Sequence, residues 1–169
     1  MPKGLKPTSG VITISSLVTE SAVDTFTNEK VDLQLNVLDR EVFVVLAADI
    51  DLRPPDNVTD RESQSRMSIS TTERTTVGSL DDSNVLAQAN ITYNNVGDTC
   101  VAVTSYSSTE SPHAQLEYIG IIATNDFYLN INGVNNVGPK AGSARLWGYR
   151  AQADAATFAA LTQSELLSA

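Results

Sequence analysis

This chain is short of the residues that do chemistry. It has one cysteine, Cys100, so no internal disulfide can form. It has one histidine, His113, which excludes a tetrahedral zinc site built from His and Cys. A Ser-His-Asp or Cys-His site would need His113 beside a nucleophile, yet it follows Pro112 in a polar loop, while Cys100 sits in a predicted strand as a small buried residue. No apolar run is long enough to span a membrane, and none near the start suits a signal peptide. The expectation is a chain made and folded in a reducing cytosol. The triplets Asn57-Val58-Thr59 and Asn90-Ile91-Thr92 are then accidental matches to a glycosylation site.

Basic residues are also scarce. The net charge is -9, so the chain as a whole lacks the basic footprint of a strong nucleic-acid binder. Lys3 and Lys6 stand in the first ten residues without an acid. Residues 1–10 are expected to form a flexible, mildly basic arm on an acidic body. At 169 residues the rest suits one domain with a substantial core.

What the sequence has is alternation. In Glu29–Val37, the apolar Val31, Leu33, Leu35 and Val37 interleave with Lys30, Asp32, Gln34 and Asn36, the period of a half-buried strand. Further strands are predicted at Val11–Val18, Ser21–Thr27, Glu41–Leu52, Met67–Thr71, Val85–Tyr93, Thr99–Tyr106, Leu116–Thr124, Phe127–Val134 and Arg145–Ala153. The start of Glu41–Leu52 is apolar on both faces, which calls for a central strand covered on both sides. Its end alternates, with Ile50 and Leu52 inward and Asp49 and Asp51 outward. Asn125-Asp126 reads as a tight hairpin between its flanking strands. Ser79 and Asp82 resemble a capping pair, but strand is the preferred reading of the segment they precede.

Asp154 can cap a helix over Ala155–Leu167, with Ala155, Phe158, Ala159, Thr162 and Leu166 as its apolar stripe. At about thirteen residues such a helix must dock, on its own sandwich or on a neighbour. The division is therefore arm 1–10, β-sandwich 11–153 and helical segment 154–169. An all-β, jelly-roll-like sandwich of about eight to ten strands is the expected fold.

The remaining motifs are weak. Gly133–Lys140 is only superficially a phosphate loop, because Pro139 separates glycine from lysine and Ala141 stands where Ser or Thr belongs. Asp49, Asp51, Asp56 and Asp60, with Glu62, cluster around Pro54-Pro55 and are the candidate calcium ligands, though a solvated acidic loop is the preferred reading. No cofactor and no catalytic residue is predicted.

Three features together, the arm Met1–Gly10, the ladder Val11–Ala153 and the terminal segment from Arg145 through the helix, resemble viral single jelly-roll capsid proteins. The resemblance is one of architecture and covers nearly the whole chain. It implies a virion protein that tiles a shell through edge loops and terminal segments, with copies of itself or companion capsid proteins as partners. Coat proteins of that kind that package nucleic acid often have long arginine-rich arms, and this arm has two lysines. That departure implies an outer layer or a shell over a membrane. The alternative is a carbohydrate- or receptor-binding sandwich such as a spike or fibre head, with Tyr106, Tyr128 and Trp147 as candidate aromatics.

Overall fold

The computed structural model describes residues 4–97, 100–107, 109–110 and 116–168, with the backbone alone at 100, 107, 109 and 110. The strands are β1 (Leu5–Pro7), β2 (Ile12–Thr19), β3 (Thr27–Asp32), β4 (Glu41–Leu52), β5 (Glu62–Ser70), β6 (Val85–Val96), β7 (Cys100–Ser107), β8 (Thr109–Glu110), β9 (Gly120–Ile122), β10 (Asp126–Val134) and β11 (Ala141–Ala153), followed by helix α1 (Ala155–Leu167). In the first sheet β1 and β2 flank one side of β11, and β4 lies on the other with β8 and β9 beyond it. The second sheet runs β3-β10-β5-β6-β7. Every strand pair is antiparallel.

Chain order explains this layout. β2 pairs with β11, β3 with β10, β4 with β9 and β5 with β6. That is one long antiparallel hairpin, closed at β5–β6 and rolled into two facing sheets, which defines a jelly roll. The short β1 and β8 and the edge strand β7 are additions to it.

β4 holds the layers together. Phe43, Val45, Ala48, Ile50 and Leu52 enter the core between the sheets, against Met67, Ile69, Leu129, Ile131 and Leu146. Val42 and Val44 point the other way, into a second apolar layer with Leu5, Ala123, Ala151, Ala153, Phe158 and Leu161 of α1. The strand is covered on both sides, as its apolar run requires. The change of parity between Val45 and Ala48 comes from a β-bulge. Val45 pairs with Gly148 and Ala47 with Trp147, which leaves Leu46 as an extra residue.

Several sequence expectations need correction. Residues 5–7 are not a free arm; they pair with Ala151–Ala153, because Leu5 completes the apolar layer beneath α1. Residues 21–26 form a turn rather than a strand, with the Thr25 amide donating to the Ala22 carbonyl at 3.2 Å and Asp24 at φ 55°, and strand starts only at Thr27. β3 stops at Asp32 although burial alternates as far as Leu35. Gln34 adopts φ 52°, and the Asn125 side chain takes the Leu35 amide at 2.6 Å in place of a ladder partner. Asn125-Asp126 is not a hairpin. It is the corner where the chain leaves β9 in the first sheet for β10 in the second. The preferred strand reading of the segment after Ser79 and Asp82 holds, as β6; that pair closes a turn before it, the Asp82 amide donating to the Ser79 carbonyl at 3.1 Å.

Helix α1 begins at Asp154, whose carboxylate accepts from the Thr157 amide at 2.7 Å. Its docking face differs from the predicted stripe. Phe158 and Leu161 pack inward and Glu165 is buried, whereas Ala159 and Leu166 are exposed. Among the described residues no helix is long and apolar enough to cross a membrane.

Candidate assembly surfaces and the loop network

The loops β2–β3, β4–β5 and β10–β11 meet at one end of the sandwich. Buried Glu20 accepts from the Gly133 amide at 2.5 Å and the Lys140 amide at 2.7 Å. Asp24 accepts from the Asn136 amide at 3.0 Å. Asp56 accepts from the Val137 and Gly138 amides at 2.9 and 3.1 Å and pairs with Lys140 Nζ at 2.7 Å. The glycine-rich loop Gly133–Lys140 therefore does present its N–H groups to anions, as phosphate loops do. The anions here are the protein's own carboxylates. Lys140 is 8% exposed and committed to Asp56, so the loop is a structural clasp. The lysine and the two loop amides hold the Asp56 carboxyl below the usual carboxylate range.

The four aspartates proposed for calcium are not brought together. Asp56 serves the clasp and Asp60 accepts from the Gly97 amide at 2.8 Å. Asp49 and Asp51 lie on the outer face of β4, where Asp49 is in register with Arg145. Among the described residues no group of three or more His, Cys, Asp or Glu side chains could hold a metal ion. His113 and its loop lie outside the described residues, as does the Cys100 side chain.

Among the described residues, two surfaces remain without a partner. The first is β7, the edge of the second sheet. From Val101 to Tyr106 its side chains are exposed, with Val103 60% and Tyr106 66% accessible. No residue from Cys100 to Ser107 is charged. Among the described residues no strand pairs with its outer side. The second is the outward side of α1, where Leu166 and Leu167 are exposed beside Phe158 and Ala159.

Comparisons add fold-level likeness only. No protein-family model matches the chain, and no curated protein matches it. Among solved structures, a chain of Desmodium yellow mottle tymovirus is 13% identical, with 91% of this chain and 95% of that one covered and a TM-score of 0.31. The VP1 protein of Merkel cell polyomavirus, solved as an unassembled pentamer, is 6% identical, with 87% and 97% covered and a TM-score of 0.33. Both neighbours are viral proteins.

Of the aromatics singled out from the sequence, Tyr106 is exposed, while Tyr128 and Trp147 are half-buried. Trp147 is not a core residue between the sheets. It lies on the outer face of β11, with the Arg145 guanidinium 5.7 Å from its ring centroid. The β7 surface is not among the features the sequence predicts. Its signal was an eight-residue strand without a single charge in a chain of net charge -9.

Proposed function

We propose that this protein is a structural subunit of a virus particle, made in the host cytoplasm and self-associating into a capsid shell or its outer layer. The observation that carries this reading is the edge of β7, which no described residue guards. A monomeric sandwich protects such an edge with lysine, proline, a bulge or a covering loop. β7 offers Val101 and Val103 instead, and no charge. Antiparallel pairing of β7 with β7 of a second copy would join two five-stranded sheets into one. It would satisfy the free backbone groups and avoid the repulsion that other acidic surfaces of the two copies would meet. That contact is isologous and closes on itself, so a shell needs a second, different contact. The exposed Leu166 and Leu167 of α1 supply it.

Sedimentation and negative-stain microscopy of the purified chain test the proposal. Dimers or larger particles are expected. Val103→Lys should abolish the β7 contact, and a Leu166→Glu, Leu167→Glu double variant should stop growth beyond the dimer. A wild-type chain that stays monomeric at high concentration, in both low and high salt, would overturn the proposal.

A further inference from the structure

The outer face of the second sheet carries a polar row that the core does not use and that reaches the β7 edge at Tyr106. Asn132 on β10, Arg66 on β5, Asn90 on β6 and Tyr106 on β7 are direct cross-strand neighbours, one per strand. At about 4.8 Å between strands, Arg66 and Tyr106 stand about 10 Å apart across Asn90. A cavity of about 410 Å³ opens over Arg66, Gln88, Asn90 and Tyr106. Its wall is the segment 77–79, tied down by the Gly78 amide donating to Ser68 Oγ at 3.0 Å.

The donors and surfaces in this cavity define a ligand. One terminal nitrogen of Arg66 reaches Asn132 Oδ1 at 3.4 Å, a long contact. Its Nε is buried and has no hydrogen-bond partner among the described residues. A carboxylate that enters the cavity meets the terminal N–H groups of this guanidinium, a charge-assisted contact. Arg66 is the single charge among the described residues that line the cavity, which suits a monoanion rather than a phosphate chain. Asn90 offers an amide that can bond hydroxyls. Tyr106 presents an exposed ring, the flat apolar surface on which the C–H face of a pyranose packs. We propose that this cavity binds a pyranose bearing a carboxylate, a sialic or uronic acid, with the carboxylate on Arg66 and the sugar face on Tyr106.

Titration of the full chain by protein-observed NMR and calorimetry tests the assignment, using methyl α-sialoside, methyl β-glucuronide, methyl β-glucoside and acetate as probes. At least one acidic pyranoside should bind about tenfold more tightly than the glucoside and than acetate. The two acidic probes distinguish a sialic acid from a uronic acid site. Arg66→Gln and Tyr106→Ala should each weaken binding about tenfold. Tyr106 is exposed, so its variant keeps the test valid if Arg66→Gln fails to fold. Absence of binding by both acidic pyranosides at millimolar concentration would overturn the proposal. So would equal affinity for acetate, which would mark a plain carboxylate site of the kind a peptide terminus fills, or an undiminished affinity in Tyr106→Ala.

Discussion

Gly148 shows how one residue can be required by a neighbour's irregularity. It faces the bulge in β4, and a Cβ at this position would collide with the Val44 carbonyl and the Phe43 ring. Gly148→Ala is expected to cost about 2–3 kcal/mol, read as a lower urea midpoint with unchanged slope. The clasp makes a second residue-scale prediction. Asp56→Asn removes the partner of a buried lysine and weakens the anchoring of two loop amides. Because the Asp56 side chain is 36% exposed, the loss should be about 2 kcal/mol, below the range for a fully buried pair. The Asp56 carboxyl titrates below its unfolded value. Its contribution is therefore present above the unfolded carboxylate range and is lost as pH falls through the folded value. The variant should show a flatter acid limb in Tm against pH.

At the scale of elements, helix α1 is seated by a buried carboxyl group as well as by its apolar side chains. Glu165 accepts from the Ala123 amide at 3.1 Å and the Thr124 amide at 2.9 Å, at the corner between β9 and β10. Burial pushes its carboxyl up, with the Asp126 carboxylate adding to the shift, while the Ala123 and Thr124 amides act against it. A raised carboxyl contributes its stability below the unfolded value and loses it as pH rises through the folded one. This is opposite in sign to Asp56. Glu165→Gln should remove that dependence and raise Tm at pH 7 relative to pH 5, by about a few degrees against wild type, by calorimetry. The sequence contained α1 and its Asp154 cap but not its docking face, because a glutamate enters no hydrophobic stripe. The strands were legible for a similar reason. Alternation survives wherever one face is wet, so Ile50 and Leu52 against Asp49 and Asp51 needed no tertiary knowledge. Asn125-Asp126 misled because a short polar pair between two apolar runs has one local signature, whether the chain turns within a sheet or crosses to the other.

At the scale of the molecule, the charge of -9 opposes association over most of the surface and the uncharged β7 edge does not. Self-association should therefore strengthen as sodium chloride rises from about 10 mM to 500 mM, by sedimentation, as the screening length falls. The Val103→Lys variant should show no such gain, with an unchanged Tm because the position is exposed. Composition and periodicity alone determined the all-β class, the double coverage of β4, the capped C-terminal helix and the shortage of catalytic groups. These are local properties, written in the spacing of apolar side chains and in residue counts. Tertiary structure decided which strands pair, and so that Leu5 enters a sheet, that β7 is left as an edge, that Glu20, Asp56 and Lys140 form a clasp, and that Arg66, Asn90 and Tyr106 share a row. Each depends on residues far apart in the chain meeting across a sheet or a loop, and no sequence window contains that register.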